Sequence, residues 1–593
     1  MIDPHRLHSA YQTARRELLA RRCEAGHWVG RLSSSALATA TATSALTLVA
    51  AHTTDDSRRR AGNELAAQGV ASLARSQNDD GGWGDTDRSA SNIATTMLAR
   101  AAMHLAGAAG AHAGLLARAE DYIERQGGTE GLRRRYGVDK TFAVPILTNC
   151  ALAGLVPWSE VAPLPFEWAA LPFSTLRFLR LPVVSYAVPA LAAIGQARFF
   201  HRRPRSPLAW LIRRCAVAPS MRTLARMQPP SGGYLEAIPL TSFVVMSLAA
   251  TGRADHPVAR RGTRFLIDSV REDGSWPIDT NLATWNTTLS IQALAAATGE
   301  VGALGCTDWL LDCQHDRRHP MTAAAAGGWG WSDAGGAVPD ADDTAGALLA
   351  LAALELSASQ SRRERSRLEA TDGARWLLNL QNRDGGWPTF CRGWGRLPFD
   401  RSGADLTAHA IRALAAWPGD GPHSERVGQA ISAGFGFLSQ SQRPDGSWVP
   451  LWFGNQHHPE EENPVYGTTR VLLAYRDLGK LTDDPAQRAL RWLCASRGVD
   501  GGWGCGLPDR GESSIEETAL AVEALLSDPD NPTVRPVLEG GLEWLVRAVE
   551  QGRYREPAPI GFYFAKLWYY ECLYPMIFTV AALGRAVRTL EQS

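Results

Sequence analysis

At 593 residues the chain exceeds what one ordinary hydrophobic core can organise, and its length predicts about two to four domains. Hydrophobic residues make up 45% and charged residues 21%, which excludes a disordered chain. Lys plus Arg and Asp plus Glu both number 61, so no basic excess points to a nucleic-acid partner.

From the N-terminus, residues 1–24 are rich in Arg and Glu and lack the apolar core of a signal peptide. A phrase of the form Gln-x-x-x-Gly-x-Trp first stands complete at Gln77, Gly81 and Trp83. The most apolar stretch, 141–158, is interrupted by Pro145, Asn149 and Gly154. It falls short of the ~20 apolar residues of a membrane-spanning helix. The segment 197–214 mixes aromatics with cations, among them Phe199, Phe200, Arg202, Arg203, Trp210 and Arg214. Rings at headgroup level and guanidinium groups on lipid phosphates suit contact with a membrane surface without spanning it.

The phrase then returns weakly at 228–234, with Tyr234 for Trp, and partially at 270–276 and 497–503. It is complete again at Gln381, Gly385 and Trp387 and at Gln442, Gly446 and Trp448, while Trp28 and Trp329 end degenerate copies. From Tyr234 onward the closing aromatic falls at 234, 276, 329, 387, 448 and 503, an internal repeat of irregular period. Each copy follows a helical segment such as 374–380 and precedes another such as 406–416, with apolar residues recurring at three and four. Strand signals are few. Helix pairs joined by a Gly turn cannot bury their faces alone and must stack or close into a ring, so the prediction is an all-α fold of α/α toroids. The Gly permits the tight turn, and the Trp reads as scaffold, placed to stack on the Gln amide at the next helix. Nine cysteines, odd in number and without a CxxC pair, predict neither a metal knuckle nor a disulfide framework, and suit a reduced, cytosolic environment.

Asp340, Asp342 and Asp343 crowd four residues between Pro339 and Thr344, at the start of a helical pattern. In a buried site three such carboxylates cannot all ionise, so at least one holds a proton. Acid strength further needs a nearby positive charge that favours the carboxylate left behind. Asp340 lies near the N-cap, and the helix N-terminus adds positive potential at the same end. Asp405 and His409 lie four apart on one helix face, and a protonated His409 held by Asp405 is expected to supply the rest.

The repeat is similar to the signature phrase of the squalene–hopene and oxidosqualene cyclases, and the resemblance covers nearly the whole chain. The run from Asp340 to Thr344, just after Trp329 and Trp331, resembles the Asp-x-Asp-Asp-Thr motif of class II terpene cyclases that act on alkenes. Asp405, Thr407 and His409 resemble a family segment whose His contacts the catalytic acid. The resemblance implies two α/α barrels with a central cavity between them. One would comprise 1–25 with 272–593 and carry the aspartate motif. The other would be the inserted segment 26–271, with the membrane-contact stretch. It further implies that Asp342 protonates a double bond of squalene or a squalene-like polyprene. Asp340 and Asp343 would flank it, and Tyr466 would help to reload its proton through water. A migrating carbocation is stabilised by aromatic faces, by ~2 kcal/mol or more when desolvated. Trp285, Trp331, Phe390, Trp452, Tyr563 and Tyr570 fall at or near positions where the family lines its cavity. No cofactor is implied. No metal is either, since the Asp-Asp-x-x-Asp cluster of magnesium-assisted diphosphate ionisation is absent. The expected location is a peripheral, monotopic one on the cytoplasmic side of the cell membrane, and the resemblance implies a homodimer.

The N-terminal half departs from the hopene-forming pattern. Segments 33–40 and 94–98 carry no acid where the family has glutamates, Ile238 precedes Pro239 in place of Gln, and Asn286 follows Trp285 in place of Asp. The start of cyclisation is therefore better marked than its end. A class II cyclase of a shorter or arylated polyprene (diterpene or meroterpenoid) and a non-catalytic isoprenoid-binding barrel are the alternatives.

Overall fold

The computed structural model describes residues 2–592 except 138–139, 173–174, 176–177, 179–186, 299–300, 302–303, 356–358, 391–399, 510–511 and 563–565. Helix α1 (Pro4–Ala20) is followed by α2 (Ala36–His52), α3 (Asp56–Arg75), α4 (Ile93–Leu105), α5 (Ala113–Arg125), α6 (Gly128–Tyr136), α7 (Lys140–Leu152), α8 (Val188–His201), α9 (Pro207–Met227), α10 (Ile238–Ala249) and α11 (Pro257–Asp268). Helices α2, α4, α7, α8 and α10 pack each on the next, and α10 returns to α2, closing an inner ring with α3, α5, α6, α9 and α11 outside it.

The chain continues through α12 (Ala283–Thr298), α13 (Thr307–Asp312), α14 (Ala341–Glu355), α15 (Gln360–Leu380), α16 (Ala404–Ala416), α17 (Pro422–Ser441), α18 (Pro464–Asp477), α19 (Asp484–Ala495), α20 (Ile515–Leu525), α21 (Arg535–Glu550) and α22 (Tyr574–Gln592). The even-numbered members of this set close a second inner ring, and α1 packs from outside on α21 and α22. The fold is the all-α, double-ring architecture that the repeats predict.

Composition explains which helices go inside. Helix α10 is buried almost throughout, from Ile238 to Ala249, as a helix surrounded by others must be. Helix α11 is amphipathic: Val258, Ala259, Gly262, Thr263, Phe265 and Leu266 are buried, while Arg260, Arg261 and Arg264 face solvent. Among the described residues no helix is long and apolar enough to cross a membrane.

The repeat turn joins three elements by hydrogen bonds. The indole of Trp448 donates to the carbonyl of Leu438 in the preceding outer helix, at 2.7 Å. The backbone N–H of Trp448 donates to Oγ1 of Thr468 on the following inner helix, at 3.0 Å. Nε2 of Gln442 donates to the carbonyls of Gly446 and Pro485, both at 2.8 Å. Trp83 and Trp387 repeat the indole and N–H contacts, with Leu73 and Thr96 and with Leu377 and Thr407. The Trp is thus fixed by donating to a helix C-terminal carbonyl, a partner that the stacking expectation did not include. Gly385 has φ +89°, and a Cβ there would meet the Ala433 carbonyl oxygen at 2.3 Å, so the turn requires glycine. Two copies act across the sequence: the N–H of Trp28 reaches Thr287 on α12, and that of Trp276 reaches Thr39 on α2.

Candidate active site

The threonine hydroxyls that receive these N–H groups set a common level around the second ring. Two residues before each threonine, at the start of an inner helix, stand Trp285, Asp342, Asp405, Tyr466 and Glu516, on α12, α14, α16, α18 and α20 in turn. The threonine of the aspartate motif, Thr344, is therefore a scaffold residue that accepts the N–H of Trp329 at 3.0 Å.

Asp340 caps α14. Its Oδ1 accepts the backbone N–H groups of Asp342 and Asp343, each at 2.8 Å. Burial pushes the Asp340 carboxyl up to about 7, and burial and the Asp340 carboxylate together hold Asp343 well above the usual range. Asp342 is the member of the three that reaches across the ring: its Oδ1 lies 2.5 Å from Nδ1 of His409 on α16. Burial pulls His409 below its ordinary value; Asp342 opposes this, and Arg412 and Arg470 add to it.

The relation expected between Asp405 and His409 is not the one observed. Oδ1 of Asp405 accepts the N–H of Leu451 at 3.2 Å, and its Oδ2 has no hydrogen-bond partner among the described residues. Helical spacing of four puts both residues on one face, but the imidazole leans toward α14, where Asp342 meets it. Burial, then the charge of Asp342, pushes the Asp405 carboxyl up to about 7.

The aromatic candidates fall into three places. The ring of Trp285 stands edge-on to His409, with centroids 6.0 Å apart. Trp331, Phe390 and Trp452 form a succession, with centroid separations of 6.1 and 5.3 Å, and the Trp452 indole donates to Oγ1 of Thr389. Tyr466 is buried 4.6 Å from the ring of Phe453. Tyr570 is turned elsewhere: its hydroxyl donates to Oδ1 of Asp87 at 2.9 Å, and the Arg88 guanidinium lies 5.7 Å from its ring centre. Tyr563 lies outside the described residues.

Several groups near this site carry no motif. Tyr569, at the end of a short strand, and Tyr574 share a hydroxyl contact of 3.3 Å, and burial raises both phenols. Tyr569 and Tyr570 have different partners, Tyr574 and Asp87, in keeping with successive residues of extended chain facing opposite ways. Glu236 accepts from the Ser231 hydroxyl at 2.7 Å and from the N–H of Gly336 at 2.8 Å, in the loop that leads to Asp340. Arg470 follows Tyr466 by one helical turn.

The squalene-hopene cyclase C-terminal domain matches residues 282–588, more than half of the chain, and the corresponding N-terminal domain matches 11–187. The chain belongs to the squalene-hopene cyclase family. It is 26% identical to enfumafungin synthase of Hormonema carpetanum over 84% of this chain and 42% of that protein. It is 25% identical to a squalene–hopene cyclase of Bradyrhizobium diazoefficiens, over 73% of this chain and 76% of that one. The chain spans less than half the length of that fungal relative. The structure of ent-copalyl diphosphate synthase from Streptomyces platensis aligns over 98% of this chain and 99% of its own, with a TM-score of 0.57 at 20% identity, a likeness of fold.

Proposed function

We propose that the chain is a class II terpene cyclase that protonates the terminal alkene of squalene or a squalene-like polyprene and directs cationic polycyclisation. The reading is carried by the 2.5 Å hydrogen bond between Asp342 and His409 inside a buried group of carboxyls. In the step proposed, the Asp342 O–H breaks and its proton goes to the less substituted alkene carbon. The π pair forms the new C–H bond, and the neighbouring carbon becomes a tertiary cation. Nδ1 of His409 holds Oδ1 of Asp342 by a hydrogen bond, leaving Oδ2 for the transfer. Asp340 holds the Asp342 backbone, and Asp343 and Asp405 limit how much negative charge the site can carry. Tyr466 reloads the acid through water. The rings of Trp285, Trp331, Phe390 and Trp452 shield the cation, with cation–π attraction of ~2 kcal/mol where dry.

The test is to incubate the detergent-solubilised full chain with squalene and with shorter polyprenes, reading products by gas chromatography–mass spectrometry, with Asp342→Asn as control. Cyclised product from wild type and none from the Asn variant is expected. Product from the Asn variant at the wild-type rate removes Asp342 from its role, and no product from any polyprene favours an isoprenoid-binding barrel.

The division into 1–25 with 272–593 and the inserted 26–271 is part of the same proposal. It is supported by the packing of α1 on the second ring and by the docking of Trp276 onto Thr39. So is monotopic attachment to the cytoplasmic face of a membrane, supported by the exposure of Phe200, Leu208, Leu211 and Ile212 beside the arginines of that segment.

A shorter or arylated polyprene with a polar head is the second reading. It is favoured by a pair of acids, Glu236 and Asp279, brought together by the bridge between Ala237 and Asp279. Burial raises both, and carboxyl groups are partners that a pure hydrocarbon leaves unused.

A further inference from the structure

Helix α9 keeps one face open along its whole length. Leu208, Leu211, Cys215, Ala218, Arg222 and Ala225 are all exposed, and their alternating spacing of three and four sets them on one side of the helix. Helix α9 packs on α8 and on residues 166–170 but meets α11 only lightly. Between α9 and α11 lies a groove of about 380 Å³, within the ~300–1,000 Å³ of ligand clefts. Val217, Met221 and Ala225 line it with apolar atoms, and Arg222, Arg253 and His256 are its polar groups. The open face of α9 therefore runs from the exposed leucines into the groove. A helix lying flat at the headgroup level presents such a face to lipid.

The groove is cationic and lined by no carboxylate. Among the described residues neither Arg222 nor Arg253 forms an ion pair. The neighbouring Asp255 is engaged elsewhere: its Oδ1 accepts from the Thr53 hydroxyl and the Arg58 guanidinium, both at 2.7 Å. Its Oδ2 accepts from the N–H and the hydroxyl of Thr54, at 3.0 and 2.7 Å. Arg253 is held in place through Nη1, which donates to the Thr251 hydroxyl at 2.9 Å. Nδ1 of His256, the N-cap of α11, accepts the N–H of Val258 at 3.2 Å, so the donor left on that ring is Nε2. Two guanidinium groups and an imidazole N–H suit a phosphate, by charge-assisted hydrogen bonds. A pure hydrocarbon leaves these donors unused, and a free phosphate leaves the apolar wall unused.

We infer that the groove between α9 and α11 binds one anionic phospholipid of the membrane, with its phosphate on Arg222, Arg253 and Nε2 of His256 and the start of an acyl chain along Val217, Met221 and Ala225. This rests on the proposed membrane attachment and adds a saturable site to it. The bound lipid holds α9 flat and directs the protein to the leaflet that carries anionic lipid. An arginine beside an anionic lipid contributes about fivefold in affinity, so losing both costs on the order of 30-fold.

The experiment is native mass spectrometry of the detergent-solubilised full chain with dihexanoyl phosphatidylglycerol, dihexanoyl phosphatidylcholine or inorganic phosphate. One phosphatidylglycerol per chain is expected, bound at least about tenfold more tightly than phosphatidylcholine. Arg222→Gln with Arg253→Gln should weaken it at least about tenfold, whereas Arg202→Gln with Arg203→Gln, outside the groove, should not. Ala225→Trp, which keeps both charges and fills the apolar wall, should weaken it as well, and it carries the test if the double variant does not fold. Equal retention of the two lipids, full retention by the groove variants, an equal loss in the Arg202 and Arg203 variant, or displacement of the lipid by inorganic phosphate at the same concentration overturns the inference. Flotation separates the two readings. Wild type that floats with no vesicle, phosphatidylcholine alone or mixed with phosphatidylglycerol, defeats membrane attachment itself. Wild type that floats but retains no lipid defeats only the groove site.

Discussion

Nδ1 of His409 stands 2.5 Å from Oδ1 of Asp342, although the two residues lie on different inner helices, α16 and α14. The contact depends on ring closure. It also depends on Gly346, where a Cβ would press on Thr288 Oγ1 at 2.9 Å and lie 3.6 Å from the imidazole. A hydrogen bond that orients the acid predicts graded losses at position 409. His409→Phe, with no donor, should lose on the order of 100- to 1,000-fold in kcat, and His409→Asn, which keeps an N–H donor, distinctly less. Rates on one polyprene check this, and equal losses would show that the ring's bulk matters more than its proton.

Asp405 is predicted to cost stability at high pH. Its folded-state carboxyl is pushed up to about 7 from an ordinary 3.8. A raised pKa gives stability that is full below about pH 4 and is lost as pH rises through about 7. Asp405→Asn removes that loss, on the order of 4 kcal/mol at full ionisation. The variant should therefore melt above wild type at pH 8.5 and close to it at pH 4.5, in thermal scans across that range. A gap that widens toward low pH would contradict the assignment.

Trp448→Phe tests the repeat turn. The substitution keeps an aromatic ring but removes the indole N–H that reaches Leu438 at 2.7 Å, leaving a buried carbonyl without its donor. A loss of about 1–3 kcal/mol is expected, seen as a lower denaturation midpoint with the product pattern unchanged. A changed product pattern would place Trp448 in the cavity.

Leu208 and Leu211, 67% and 53% exposed, are neighbours at a spacing of three on α9. The double variant Leu208→Asp with Leu211→Asp should lose at least about tenfold in binding to anionic phospholipid vesicles while keeping activity in detergent. Vesicle flotation checks this; full binding by the variant would move the attachment surface elsewhere.

The ring architecture was legible in the repeats because Gly385 and Trp387, and their counterparts, answer local needs: a left-handed turn and a donor for a helix end. The acid cluster at Asp340, Asp342 and Asp343 was legible for the same reason, since adjacency alone forces a buried carboxyl to hold a proton. The partner of His409 was not. A spacing of four says that Asp405 shares its face, but only the closed ring brings Asp342, 67 residues away, into contact and leaves Asp405 to the Leu451 N–H. Local chemistry is set by neighbours in sequence, and the field around an acid is set by neighbours in space.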